Sequence, residues 1–490
     1  MSTTELAGAR HESVRVAAIT LAAGLGTRMR SARAKVLHEL AGEPMIIPSL
    51  RPLATLGADP MIVVVGHQAE QVEAVVRDAF EGVSSLKFAR QQVQRGTGHA
   101  ALCAMDCLPE TFSGEVLITY GDMPRLQADT VANLIRAHRQ SHAALSFISV
   151  ELEDAAAYGR VVRNRAGNVI AIVEAKDASP SQRQIREINT GVYAASAAFL
   201  RTALSGIGSD NAQGEYYLTD LVAIARARGL TVQAFKAAQI PEFAGINSRE
   251  ELAAVNAEVH MAINRRLMAS GVTLIDPATA YIGEQVEIGM DTIIGPNVQI
   301  LGRSRIGSGV RIDGTAWLSD VVIGDRSHLK IGIRAEQCRI GEDCELGPFA
   351  HLREGTELEG HNRIGNFVET KKARLGQGTK ASHLSYLGDA SIGRETNVGC
   401  GVITVNYDGY EKHRTEIGDR CMIGCDTQLI APVKVGSDVY IASGTTVLRE
   451  IPDGSLAMSH HPQREKSGWT ANWHKRHQSG GKGDGGTSEP

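Results

Sequence analysis

From Ile282 the chain places an aliphatic residue at every sixth position: Ile282, Ile288, Ile294, Ile300, Ile306, Ile312 and Leu318. Gly often follows, as in Ile282-Gly283, Ile288-Gly289 and Ile294-Gly295. A step of six matches neither the 3.6-residue turn of a helix nor the two-residue repeat of a strand. It suits a parallel β-helix, in which each short strand lays one side chain into a shared interior before the chain turns. The step returns at Ile340, Leu346, Leu352, Leu358 and Ile364, and again at Ile417, Ile423, Leu429, Val435, Ile441 and Val447. Five-residue steps, such as Leu318 to Ile323, and an insertion between Asn406 and Glu416 interrupt it. Nothing comparable precedes residue 280, so the chain holds two architectures.

A length of 490 residues exceeds what one core holds and implies two domains plus linkers. The 52 glycines and 4% aromatics fit a solenoid with small turns and an aliphatic interior. A formal net charge of -4 gives no global nucleic-acid or polybasic membrane signature, so an anionic ligand must be met by local basic groups. The seven cysteines form no CxxC pair, no signal-peptide pattern opens the chain, and no apolar run approaches the roughly 20 residues of a membrane span. These features predict a soluble, reducing, cytoplasmic protein that binds neither nucleic acid nor membrane.

Residues 1–13 are polar and unpatterned and are expected to be disordered. Val14 to Leu21 reads as a buried strand entering a Gly-rich turn. Strand-like runs at Met61–Val65, Val116–Thr119 and Ala144–Val150 alternate with helix-like runs at Ala69–Phe80, His99–Met105 and Thr130–His138. Alternation of this kind predicts an α/β fold with a mostly parallel sheet, helices on both faces and ligands at the carboxyl ends of the strands. Asn247 to Ala269 lacks Pro and Gly and carries Leu252, Val255, Val259, Ile263 and Leu267 at steps of three or four, which predicts a linker helix over 247–269. The expected boundaries are therefore 14–246, 247–269 and a solenoid domain over 270–465, with a largely disordered tail over 466–490.

The turn Leu21-Ala22-Ala23-Gly24-Leu25-Gly26-Thr27-Arg28-Met29 is followed by Lys35. Small residues let backbone N–H groups approach phosphates, and Arg28 and Lys35 can neutralise a triphosphate. No Gly-Lys-Ser/Thr triplet closes it as a Walker A loop, and it lacks the third Gly of a dinucleotide fingerprint. Leu21 to Met29 with Lys35-Val36-Leu37 resembles the signature of sugar-1-phosphate nucleotidyltransferases, although Ala34 replaces the common Pro. The resemblance implies a Rossmann-like nucleotidyltransferase domain in which Leu21, Ala22, Ala23, Gly24, Arg28 and Lys35 hold the nucleoside triphosphate. Gln91, Gln94, Gly96 and Thr97 resemble the segment that recognises uracil. Tyr120, Gly121 and Asp122 end a strand where a metal would sit, and Asn247 matches the second metal ligand. Tyr158-Gly159-Arg160, Glu174 and Asn189-Thr190-Gly191 match segments that hold the amino sugar and ribose. The chemistry implied is attack of a sugar 1-phosphate oxygen on the α-phosphorus of UTP, with Mg2+ held by Asp122 and Asn247.

The solenoid carries polar residues where its pattern is interrupted: Asn366 to Leu375, then His383-Leu384-Ser385-Tyr386, then Asn406-Tyr407-Asp408-Gly409. With the first half, this resembles the bifunctional N-acetylglucosamine-1-phosphate uridyltransferases and glucosamine-1-phosphate acetyltransferases over nearly the whole chain. The resemblance implies a left-handed β-helix of hexapeptide repeats that forms a homotrimer and transfers acetyl from acetyl-CoA to glucosamine 1-phosphate. Arg353, Lys371, Tyr386 and Asn397 match groups that bind the sugar phosphate, and His383 matches the general base. An imidazole suits that role because it exchanges its proton near neutral pH. Cys400, Asn406, Tyr407, Cys425, Ser443 and His460 match acetyl-CoA contacts, with Cys425 where the family usually has Ser and His460 where Arg is common. Two alternatives differ in class: a monofunctional nucleotidyltransferase whose solenoid serves only assembly or regulation, and a non-catalytic scaffold. The first has no need of Lys371, His383, Asn406 and Tyr407; the second does not account for Lys35, Asp122 and Asn247 together.

Overall fold

The computed structural model describes residues 15–155, 157–237, 241–459 and 463–478. The expectation of disorder for residues 1–13 falls outside them. The chain divides into two compact units: residues up to 270 together with 277–286 and 300–302, and the remainder.

In the first unit a nine-stranded sheet has as its main path Val232–Lys236, Leu145–Glu151, Glu187–Ser196, Glu115–Tyr120, Val16–Leu21, Met61–Val65 and Leu86–Arg90, with Arg160–Arg163 and Val169–Val173 joined beside Glu187–Ser196. Val16–Leu21 lies parallel to both Met61–Val65 and Glu115–Tyr120. Glu187–Ser196 is antiparallel to both its neighbours. The four strands from Glu115–Tyr120 to Leu86–Arg90 therefore release their loops at one edge, at Ala22, Gly66, Gln91 and Gly121. Inside the sheet Met61–Val65 is a continuous apolar run buried at every position, because helices cover both faces, whereas the edge strand Leu86–Arg90 is partly exposed.

The helix expected from Asn247 runs Arg249–Ala269, capped by the Ser248 hydroxyl accepting from Glu251 N–H. Ile263 and Leu267 are buried, as their spacing implies, but His260 and Asn264 are buried beside them. Both polar side chains meet backbone: His260 Nδ1 lies 3.2 Å from the Ile282 carbonyl, and Asn264 Nδ2 donates to the Pro277 and Ala280 carbonyls.

The second unit is a parallel coil. On one face the pairs Arg305↔Val322, Val322↔Arg339, Arg339↔Glu357, Glu357↔Arg374 and Arg374↔Ser391 each advance by one coil, and the coils agree in length to within a single residue. The next coil, Ser391↔Glu416, is longer and absorbs the insertion, after which Glu416↔Lys434 returns to the regular length. Three six-residue edges make one regular coil, so the ladder of aliphatic residues becomes a ladder of coils. From Ile294 onward the six-step aliphatics are buried, whereas Ile288 is half-buried. A second column, absent from the aliphatic reading, carries buried hydroxyls two residues before the aliphatics. Ser327 Oγ donates to the Gly341 carbonyl and accepts from Cys344 N–H, and Thr396 Oγ1 likewise joins the Gly418 carbonyl to Cys421 N–H. These bonds satisfy backbone groups at corners where the strand ladder lapses.

Within the tail expected to be largely disordered, Trp469–Gln478 forms a helix. Trp473 stacks on His477 with ring centroids 4.2 Å apart, a helical i, i+4 contact that the Gly-rich segment beyond could not offer.

Leu352 is fully buried between Ala335 and Thr370 of adjacent coils. Leu352→Ala will lower unfolding stability by about 2–5 kcal/mol. Exposed Glu357→Ala will change it by less than about 0.5 kcal/mol; denaturant titration of the two variants checks the contrast.

Candidate active sites

At the loop edge of the first unit a cavity of about 440 Å³ is walled by Leu21, Ala22, Ala23 and Gly24, by Lys35, by Gln91, Gln94, Gly96 and Thr97, and by Tyr120 and Asp122. Eleven residues singled out from sequence thus meet in one cleft. Gln91 is buried, and its amide nitrogen donates to the Gly96 carbonyl (3.0 Å) and meets His99 Nδ1 (2.9 Å), fixing the loop between them. Gly96 has φ +104°, and a Cβ there would lie 2.6 Å from the Tyr216 carbonyl, so only Gly fits. That packing brings in Glu215, a wall residue the motif reading missed. The signal available was the polar-aromatic stretch Asn211 to Tyr217. Arg28 is exposed on the short turn Thr27–Met29 and is not part of the cavity wall.

Lys35 Nζ is ion-paired with the Asp122 carboxylate and lies 3.1 Å from Asn247 Oδ1. Two oxygens from residues far apart in sequence therefore converge on one positive centre, the donor set a hard cation needs. Arg249, at the start of the long helix, donates to the Met29 carbonyl and ties this corner to the Gly-rich turn.

The residues assigned to the sugar lie in a buried network beside this cleft. Asn189 N–H donates to the Gly159 carbonyl, and Asn189 Nδ2 donates to the fully buried Tyr193 hydroxyl. Gly191, at φ +88°, lets the Tyr120 ring approach its backbone. Glu174 accepts from the Thr219 hydroxyl at 3.1 Å. Burial pushes its carboxyl above the usual range; Thr219 opposes this, and Asp177, Asp220 and Glu215 reinforce it. Tyr120 is pushed up too, by burial first and then by Glu174 and Asp122.

In the second unit the registers on either side of each corner agree. Asn366 pairs with His383 directly. Ala381↔Val398 and Tyr386↔Ile403 share one offset, which sets His383 against Cys400. Val398↔Ile423 and Ile403↔Gln428 share the longer offset of the inserted coil, setting Cys400 against Cys425, and Ile423↔Ile441 with Gln428↔Thr446 set Cys425 against Ser443. Asn366, His383, Cys400, Cys425 and Ser443 thus form one column along an edge of the coil, at steps of about 4.8 Å. All but half-buried Asn366 are exposed.

A second group gathers at the far end of the same face. Lys371 pairs with Glu354 at 3.0 Å, Arg353 with Glu369 at 2.8 Å, and Asn406 Nδ2 donates to Asp389 Oδ2 at 2.5 Å. Tyr386 lies between the groups, in register with Glu369. Asn397 stands apart: it is in register with Lys380 and Met422 on the adjacent face. Tyr407 is exposed, its hydroxyl donating to the Gly409 carbonyl in the insertion. Asp408 accepts from the Tyr410 and Glu411 amides and meets His413 at 2.6 Å, so the insertion is a hydrogen-bonded turn. His460 lies outside the described residues.

A MobA-like NTP transferase domain model matches residues 18–186, a GMPPB C-terminal domain model residues 277–360, and a bacterial transferase hexapeptide model residues 414–449. The bifunctional protein GlmU of Pelobacter propionicus is 50% identical over 94% of this chain and 99% of its own. That of Trichlorobacter lovleyi is 47% identical over 92% and 97%, and that of Corynebacterium efficiens 44% over 92% and 93%. The chain belongs to the bifunctional GlmU family. It is an enzyme with two activities, an N-acetylglucosamine-1-phosphate uridyltransferase and a glucosamine-1-phosphate acetyltransferase. The reading of the solenoid as mere assembly module is thereby set aside. The hexapeptide match and the parallel coil ladders together accord with the expected left-handed β-helix.

Because the folded state raises the Glu174 carboxyl above its ordinary 4.5, it binds more protons there than the unfolded chain, and this residue's contribution to stability falls as pH rises past that value. Glu174→Gln will therefore raise the unfolding temperature at pH 8 and give no gain near pH 4. Calorimetry at both values checks this; equal shifts at both would contradict the buried-charge account.

Proposed function

We propose that the first-unit cleft performs uridylyl transfer and the edge column of the coil performs acetyl transfer, the product of the second reaction feeding the first. The observation that carries the acetyl-transfer assignment is the column itself. His383, Cys400, Cys425 and Ser443, separated by whole coils in sequence, become neighbours on one edge only because the coil register holds. In this reading His383 takes the proton of the glucosamine 1-phosphate amine as its nitrogen attacks the thioester carbon, and coenzyme A leaves as the thiol. Arg353 and Lys371 hold the phosphate, with Glu369 and Glu354 fixing their side chains beforehand. Tyr386 contacts the sugar phosphate, Asn397, on the adjacent face, meets that of a neighbouring subunit in the trimer, and Cys400, Asn406, Tyr407, Cys425, Ser443 and His460 line the path of acetyl-CoA.

In the first unit the Gly-rich turn and Lys35 hold the triphosphate of UTP, and Gln91, Gln94, Gly96 and Thr97 read the uracil. Glu174, Asn189 and Gly159 orient the amino sugar so that its phosphate oxygen lies in line with the α-phosphorus. Catalysis of this kind is mainly positioning and charge neutralisation. Asp122 and Asn247 fit a divalent cation such as Mg2+, since both already face one cationic centre. When bound, that ion neutralises triphosphate charge and eases departure of pyrophosphate. Lys35 would then turn from Asp122 to the phosphates.

Separate assays test the division. Asp122→Ala should abolish uridylyl transfer and leave acetyl transfer intact. His383→Ala should cut acetyl transfer by about 10²–10⁴ and leave uridylyl transfer intact. Coenzyme A release that persists unchanged in His383→Ala would refute the base.

The coil also supports assembly as a homotrimer, in a cytoplasmic setting where UTP and acetyl-CoA are at hand. Beside the column, Phe349, Phe367 and Leu384 stand exposed at φ +55°, +56° and +34°. The flanking coils place Gly332 and Gly401 at this corner. A bulky side chain in the left-handed region costs on the order of 1 kcal/mol or more. Retaining three of them in water, with the two Phe rings stacked at 5.7 Å, favours a subunit contact there. Phe367→Glu should convert a trimer to smaller species by light scattering; an unchanged mass would remove this face from the interface.

A further inference from the structure

We propose that Cys400 and Cys425 form a dithiol modification site, which a peroxide closes as a disulfide and thereby shuts off acetyl transfer. The consequence for activity rests on the assignment of the edge column above; the dithiol itself rests on register and exposure. The two cysteines stand opposite one another on adjacent coils, with identical register offsets on both sides. The Asp426 amide donates to the Cys400 carbonyl at 2.7 Å, which locks that pairing. Both cysteines lie in stacked turns between strands that keep one register on either side, and a coil step of about 4.8 Å falls within the Cα separation that disulfides span, roughly 4.4–6.8 Å. Their Cβ atoms start slightly farther apart than the usual span of roughly 3.5–4.5 Å, and closing that gap needs only a small backbone shift. Gly399 and Gly424 pack closely on the next coil, but Gly401, at φ +76° with nothing nearer than 3.5 Å to a Cβ built there, supplies that freedom beside Cys400.

Exposure sets these two apart from the other cysteines. Both are free and exposed. Cys338, Cys344 and Cys421 are buried, and Cys103 and Cys107 are half-buried. Burial pushes the Cys338 thiol up to about 12 and the Cys344 thiol up to about 11, and raises those of Cys103, Cys107 and Cys421. Thiolate is the reactive form, so the five are protected and the edge pair is the accessible target. His383 occupies the next position in the column beside Cys400, where an imidazole can accept the thiol proton.

The step balances with hydrogen peroxide as oxidant. Cys400 sulfur attacks one peroxide oxygen, the O–O bond breaks, and water leaves as a sulfenic acid forms. Cys425 sulfur then attacks the sulfenic sulfur, the S–S bond forms, and the hydroxyl departs as a second water. Two thiols lose two electrons to one peroxide, and a dithiol reductant reverses the change. The bridge would draw together two side chains that line the acetyl-CoA path and leave the uridyltransferase cleft untouched.

The test uses the full-length reduced protein treated with hydrogen peroxide, followed by peptide mass spectrometry without reduction and by both activity assays. Expected are a linked Cys400–Cys425 peptide two mass units lighter than its free parts, at least a tenfold loss of acetyl transfer, unchanged uridylyl transfer and recovery with dithiothreitol. In Cys400→Ala and in Cys425→Ser, each compared with its own untreated sample, peroxide should lose this reversible effect. Acetyl-CoA added before peroxide should slow the cross-link. Absence of the linked peptide while either cysteine proceeds to sulfinic acid would overturn the dithiol site. A linked peptide with full acetyl transfer, formed at a rate indifferent to acetyl-CoA, would overturn the control of activity and move the coenzyme off this column, leaving the disulfide itself established.

Discussion

Coil register is the constraint on which the second half of this protein depends. Strand amides of one coil bond to carbonyls of the coil beside it, and buried hydroxyls take over at corners, so coil length decides which side chains become neighbours. Coils of nearly constant length stack like on like: aliphatics inside, hydroxyls at the inner corners, and His383, Cys400, Cys425 and Ser443 along one outer edge. One residue added inside a strand, rather than at a corner where coils already differ by one residue, would turn the side chains that follow it on that edge to the wrong face. The long coil avoids this by leaving the ladder at Asn406 and rejoining at Thr415, with Asp408 closing the excursion.

The first unit reaches its site by different means. There the strands end together, and the loops they release are held by contacts too close for any side chain but hydrogen. Gly96 lies against Tyr216 and Gly191 against Tyr120. Beside the cleft, Asn189 bonds to Tyr193 and Glu174 to Thr219, an arrangement that fixes orientation at the expense of burying a carboxyl. Asp122 and Asn247 are meanwhile both held by Lys35, whose ammonium offsets the Asp122 carboxylate.

Much of this was legible in the residues. The six-residue step gave the coil, and the strand-then-glycine turn gave the loop edge that walls the cleft, because both follow from short-range patterns. The order of polar motifs gave the cleft residues, eleven of which line one cavity. What stayed hidden depends on contacts between distant segments. Glu215 enters the cleft through packing of Tyr216 on Gly96, which no local pattern announces. The antiparallel strand Glu187–Ser196 was obscured by its own continuous burial, and the helix Trp469–Gln478 by the Gly-rich stretch that follows it. Asn397 sits on the neighbouring face because a motif gives position along the chain and not the corner the chain turns afterwards.

The central claim is that two chemically separate sites sit on the two units, each assembled by its own backbone framework. Amide hydrogen exchange measured with UTP alone and with acetyl-CoA alone addresses it most directly. UTP should slow exchange in the turn Ala22–Arg28 and around Gln91–Thr97, and acetyl-CoA should slow it at the corners near His383, Cys400, Cys425 and Ser443 and in the insertion. Protection of the first-unit loops by acetyl-CoA, with the coil edge unaffected, would contradict the account.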